Sequence, residues 1–279
     1  VPIHDQGYRR YDGRRDALGR GWTVIAATGI RALVARRMFL LLLALAWLPF
    51  VIRAGQLYAA ANFPSASFLA VTPRTFRDFL DTQGLFVFFV TIYVGSGLIA
   101  NDRRANALQI YLSKPLTRTE YIAGKLSILV LFLLFVTWLP AMLLLVAQVL
   151  FAGSFSFLGS NLFLLPAITV FSLVQVLAAS VSMLGLSSLS RSSRFVAVMY
   201  AGLMFFTEAI ADVVAAITGR SSAAWISVAN NLAQLGDAVF RLPHRYDIPV
   251  VVSVAVMVGL VGLAILILER RVRGVDVVV

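Results

Sequence analysis

The chain has 279 residues, of which 60% are hydrophobic and 13% charged, with 24 Lys+Arg against 13 Asp+Glu and a net charge of +11. A soluble domain carries about 25% charged and about 45–50% apolar residues, so an ordinary globule, a disordered chain and a fibrous repeat are excluded. There is no cysteine and only two histidines, His4 and His244, so disulfides, thiolate chemistry and Cys- or His-based metal sites are not expected.

Residues 1–21 read as a polar, arginine-rich tail without the apolar core of a cleavable signal. Trp22, Ile25, Ala26, Ile30, Leu33 and Val34 then recur at helical steps among Arg31, Arg36 and Arg37. This spacing predicts either an amphipathic helix on the inner leaflet or an extension of the first span. The first uncharged run, Met38–Ile52, lies between Arg37 and Arg53. It is short for a hydrocarbon core of about 30 Å, so the flanking arginines are expected to snorkel. Thr72-Pro73 predicts a helix start, with Phe76, Phe79 and Leu80 on the apolar face and Arg74, Arg77, Asp78 and Asp81 on the wet one. Gly84 either ends that helix or bends it into the second span, 84–100.

No charge falls between Lys125 and Arg191, enough for two further spans, 126–151 and 162–189, around a Gly/Ser turn. Pro140 and Pro166 are expected to kink them. The fifth span, 195–218, carries Glu208 and Asp212 one turn apart. Asp212 is expected in the headgroups; Glu208, about 20 Å into the helix, is expected to line a pathway or a subunit interface. Trp225, Val228, Leu232, Leu235 and Val239 form an apolar stripe, with Asn230, Asn231, Gln234, Asp237 and Arg241 on the other face. That pattern predicts an amphipathic helix on the outer leaflet or the bundle mouth. The last span is 248–268. Gly95 and Gly97 are expected to let span two pack closely, against a second copy if the chain dimerises.

The predicted fold is all-α: a segment 1–37 and a six-span domain 38–279. In lipid such apolar runs must be helices. With six spans both termini share one side, and that side carries 18 of the 24 basic residues. The positive-inside bias puts both termini in the cytoplasm of an inner membrane. Membrane lipids are then partners, and nucleic acid is not.

The connection 101–125 is long for a link between spans. Asp102 is read as the N-cap of a helix over 102–112, Pro115 turns the chain at Lys114, and Thr117-x-x-Glu120 is a capping box opening the next helix. The result is a helix–turn–helix elbow. Asp102-Arg103, Ala105-Asn106-Ala107, Leu108 to Leu112, Ser113-Lys114-Pro115, Arg118, Tyr121 and Gly124-Lys125 together resemble the elbow of ABC-2 type transporter permeases. Many members have Glu at the acid and Gly-Thr where this chain has Asn106-Ala107. The opening Asp5-x-Gly7-Tyr8-x-x-Tyr11-x-Gly13-x-Arg15 is similar to that of a bacterial subset.

The resemblance implies a permease working as a homodimer or with a homologous permease. Its elbow is a coupling helix in a groove of a separate cytoplasmic ATP-binding subunit. Asp102, Arg103, Arg104, Tyr111 and Lys114 would make the polar and stacking contacts beside Pro115, with Leu108 and Leu112 as apolar anchors. ATP and Mg would be bound by that partner and no cofactor by this chain. Gly124-Lys125 is followed by Leu126 and has Thr119 five positions before it, so it is not the Walker A phosphate cradle. The alternatives are a membrane anchor or structural subunit of a cytoplasmic machine, which would also need a docking elbow, and a secondary transporter. The latter would want matched broken helices. No motif of a membrane enzyme is present, and the cargo is not encoded legibly.

Overall fold

The computed structural model describes residues 20–63, 70–107 and 116–272. The tail motif at 5–15 and Leu108, Tyr111, Leu112, Lys114 and Pro115 lie outside the described residues. The described residues form helices without a strand: α1 Gly21–Val34, α2 Arg37–Ala46, α3 Leu48–Asn62, α4 Pro73–Gly95, α5 Ala100–Arg104, α6 Arg118–Val136, α7 Trp138–Ala152, α8 Ser156–Ser160, α9 Leu164–Leu189, α10 Ser193–Thr218, α11 Val228–Val239 and α12 Val250–Arg271. Among the described residues six segments are long and apolar enough to cross a membrane: α2–α3, α4–α5, α6–α7, α9, α10 and α12. The chain is a multi-pass helical membrane protein. Its buried centre is α9, packed between α4, α6 and α12.

The spans are longer than their uncharged runs. The first runs from Arg37 to Asn62, so Arg53 sits within a helix and donates to Gln56 Oε1 at 2.7 Å. Extended backbone at Arg36 separates α1 from α2, so α1 is not a prolongation of the first span. α4 passes through Gly84 without a break, which joins the outer amphipathic turn and span two into one helix. Its start follows the Thr72-Pro73 signal, with Thr72 N donating to Thr75 Oγ1 at 3.2 Å. Pro166 does not kink the fourth span. It falls in the first turn of α9, where no intrahelical donor is missed.

Two other prolines do break spans. Pro49 leaves the ladder between α2 and α3 interrupted at Trp47. The Ala46 carbonyl there accepts from Gln83 Nε2 of α4 at 3.0 Å, and Gln83 is fully buried. Pro140 similarly separates α6 from α7 at Thr137, whose hydroxyl donates back to the Leu133 carbonyl at 2.7 Å. A third break, between Gly95 and Ala100, has no proline. The Ser187 hydroxyl of α9 fills it, accepting from Ile99 N at 3.2 Å and Ala100 N at 3.1 Å and donating to Ser96 O at 3.0 Å.

A buried carbonyl left without its donor costs about 1–3 kcal/mol. Replacing Gln83 by Leu strands that carbonyl but also removes the buried, unpartnered Gln83 Oε1, so the unfolding free energy is expected to fall by about 1 kcal/mol, the low end of that range. Thermal unfolding in detergent of Gln83→Leu against Gln83→Glu, measured at low pH where the acid can donate, checks it.

Candidate functional site

At the end of the bundle that carries α1, the connection after span two is rooted in three helices. Asp102 accepts from the Tyr121 hydroxyl at 2.7 Å and pairs with Lys125 Nζ at 2.8 Å, both on α6. Lys125 also lies 5.6 Å from the Tyr121 ring centroid. Arg103 donates from its guanidinium to the Ser188 carbonyl at the end of α9. Arg104 is exposed. The expected cap is corrected: α5 begins at Ala100 with Ile99 before it, so Asp102 lies inside the helix and its carboxylate is free to reach α6. The chain leaves α5 through Asn106, whose φ of 53° is left-handed, a conformation asparagine tolerates.

The far side of the connection is fixed locally. Thr117 Oγ1 accepts from Glu120 N at 3.2 Å, and Glu120 Oε2 accepts from Thr117 N at 2.9 Å, the reciprocal pattern of a capping box. Glu120 also accepts from Gly21 N at 3.3 Å, which ties the start of α1 to the start of α6. α1 then lies close along α6. A Cβ at Gly124 would stand 2.8 Å from Ile25 Cβ and 2.9 Å from the Trp22 carbonyl. The Gly124-Lys125 pair thus has two local duties, close approach to α1 and neutralisation of Asp102. Sequence reasoning had only its spacing.

Of the remaining candidates, Gly95 is buried, and its missing side chain makes room for Met183 of α9 and Leu129 of α6. That close approach is within the chain. Gly97 faces the Asn101 side chain. Glu208 is half-buried and has no hydrogen bond or ion pair among the described residues. Asp212 is exposed. The Tyr246 hydroxyl is pushed above its usual value, first by burial, with the negative charges of Glu208, Asp212 and Asp237 adding to this against Arg245.

The opposite end holds a cluster that the sequence pattern misassigned. Arg77 is not on a wet face; it is fully buried. Its guanidinium pairs with Asp81, one turn on, and with Asp237 of α11 at 3.3 Å, and lies 4.5 Å above the Phe171 ring. Its Nη2 donates to the Ala233 carbonyl at 3.1 Å. Arg245 completes the set, 2.6 Å from Asp81 and 2.8 Å from Asp237. Burial works to lower the Arg245 pKa, and Asp81 and Asp237 together raise it above its usual value. Gly236 is required here, because a Cβ would stand 2.3 Å from Arg77 Nε.

The helix α11 packs on the bundle mouth with both of its faces covered: Val228 is buried, and Leu232 and Leu235 pack beside it on the Ala178 and Met257 side. Asn230, Asn231, Gln234 and Asp237 are buried, while Trp225 before it is exposed. Gln234 Nε2 donates to Ile248 O at 2.9 Å, and Tyr246 donates from its hydroxyl to Asn230 Oδ1 at 2.9 Å. The polar face holds the loop that leads into α12. The one available signal was the opposite-charge i,i+4 pair Arg77–Asp81, which occurs as often on open helices.

Removing Arg77 leaves Asp81 and Asp237 sharing Arg245, with one negative charge uncompensated, at up to about 3–5 kcal/mol. Arg77→Met is expected to destabilise by that amount, and the double variant Arg77→Met/Asp237→Leu to recover most of it. Thermal melts of the two single variants and the double variant measure the coupling.

Among the described residues no group of three His, Cys, Asp or Glu converges to hold a metal ion. No protein-family model matches the chain, and no curated protein matches it.

Proposed function

We propose that the chain is the membrane subunit of an ABC-2 type transporter, working as a pair and driven by a separate ATP-binding subunit. The observation that carries the reading is the root of the 101–125 connection. The residue pattern that resembles the family's coupling elbow begins and ends in side chains joined to α6 and α9 through Asp102, Tyr121, Lys125 and Arg103. A force applied to such an elbow is delivered directly to spans two, three and four. An idle loop needs no such anchorage.

Two further observations support it. The end carrying α1 and the connection holds most of the basic residues. At the opposite end Arg77 and Arg245 are neutralised by Asp81 and Asp237. The positive-inside bias counts Lys and Arg, and 18 of the 24 belong to the segments on the side of the connection, which favours a cytoplasmic elbow and cytoplasmic termini. Second, α10 has only Val196, Tyr200 and Ala211 buried within the chain. Val198, Gly202, Phe206, Ala209 and Val213 follow one another along an exposed stripe, where small residues between large ones suit a second copy of the helix. Exposed Arg104, with Leu108, Tyr111, Leu112, Lys114 and Pro115 beyond it, would meet the ATPase. Glu208, unpaired in a span, would face the pathway. The cargo is moved outward in this reading.

The test is co-expression with candidate ATP-binding cassette subunits. The wild type is expected to co-purify with one, and the triple variant Leu108→Ala/Tyr111→Ala/Lys114→Ala to lose it at unchanged expression. Retention by the triple variant, or no nucleotide-hydrolysing partner at all, ends the proposal. The chain lacks cysteine, so Phe206→Cys supplies a unique thiol. Oxidation is expected to give a covalent dimer from Phe206→Cys and none from Leu150→Cys on the exposed face of α7. Glu208→Gln is expected to lower transport about tenfold or more at unchanged expression, the order of a lost interaction with a charged group. Unchanged transport would leave Glu208 outside the pathway.

A further inference from the structure

A cavity of about 240 Å³ lies inside the single chain, between α4, α9, α10, α11 and α12. Phe88, Phe171, Tyr200, Leu203, Met204 and Leu260 supply much of its wall. Along α9 its lining runs Gln175, Ala178, Ala179, Ser182. These positions share one face, and the two polar ends stand two turns apart, about 10 Å. The small alanines between them leave the hollow. Gly84 faces Gln175 from α4, with Gln175 Nε2 3.6 Å from where a side chain at 84 would begin.

Among the described residues both polar ends are without partners. Gln175 and Ser182 are more than nine-tenths buried, and neither Gln175 Oε1 nor Ser182 Oγ has a hydrogen bond. In an apolar helix a hydroxyl ordinarily donates back to the carbonyl one turn before it. Thr137, Thr169 and Thr207 do so, whereas Ser182, like Ser172 and Ser180 on the same helix, does not, and of these three Ser182 is the one that lines the cavity. A buried, unpaired amide costs free energy that a ligand or water must offset. No uncompensated charge enters the space, since Asp81 at its edge is paired to Arg77 and Arg245.

We propose that this cavity is a binding site for a small, uncharged, flat molecule bearing a carboxamide-like donor–acceptor group. The amide of the ligand pairs with the Gln175 amide, its apolar body lies over Ala178 and Ala179, and a hydroxyl or carbonyl at the far end meets Ser182. The polar edge gives orientation, and the apolar wall gives most of the affinity. The site lies within one chain and does not depend on a second copy, on an ATPase or on export.

Benzamide is the probe, because it carries the amide and a ring and no charge. The readout is its saturable effect on the thermal unfolding of the purified full chain, with ethylbenzene and benzoate as matched controls. Benzamide is expected to raise Tm in a saturable way, ethylbenzene to do so more weakly, and benzoate not at all. Gln175→Met, which keeps the volume, is expected to weaken benzamide about tenfold, the loss of two neutral hydrogen bonds, and to leave ethylbenzene unchanged. Ala178→Leu is expected to abolish both responses by filling the space. No saturable shift with benzamide, or an equal shift in Gln175→Met, means that the cavity holds only water and overturns the proposal.

Discussion

Inside a bilayer a peptide group that loses its helical partner has no water to turn to. Each interruption of a span in this chain must therefore be repaired by the chain itself, and the repairs decide how the helices join. The carbonyl at the Pro49 break is met by Gln83, which fastens the first span to the second. The break between Gly95 and Ala100 is filled by Ser187, which fastens the second span to the fourth. The same polar contacts that make irregular backbone tolerable are thus the specific joints of an otherwise apolar bundle, where packing alone distinguishes poorly between one greasy surface and another.

The two ends of the bundle use charge differently. At the α11 end, two arginines and two aspartates neutralise one another around the buried Arg77, and the polar face of α11 draws in the loop before α12. This end is closed and specific. At the α1 end, Asp102 and Arg103 reach back to α6 and α9, while Arg104 points outward and α1 lies along α6. This end is anchored yet presents charge to its surroundings. α10 stands apart from both, with little of its surface covered by the chain, which fits a helix whose partner is another molecule or lipid.

Much of the architecture was legible. Long apolar runs bounded by charged residues or by the Gly/Ser turn marked six spans in order, because burying a charge in hydrocarbon is costly and interruptions are therefore diagnostic. Local caps were legible for the same kind of reason: Thr72-Pro73 and Thr117-x-x-Glu120 act within a few residues and need no tertiary partner. Span lengths were less legible. Helices continue past Arg53 and begin before Lys125, since helical backbone is indifferent to where hydrocarbon ends. Pro166 was misjudged as a kink because its effect depends on where the helix starts.

What the sequence determined by itself was the helical class, the number of spans and the caps at Thr72 and Thr117, all consequences of composition and of contacts a few residues apart. What only the tertiary structure decided was which polar groups face one another. Arg77 and Asp237 are 160 residues apart, and Asp102 is separated from Lys125 by the whole connection. The amphipathic pattern of α11 marked two faces and did not say that the polar one would be covered as well as the apolar one. A polar stripe is stable against water or against a matching polar surface, and the choice is made by a partner that lies far away along the chain.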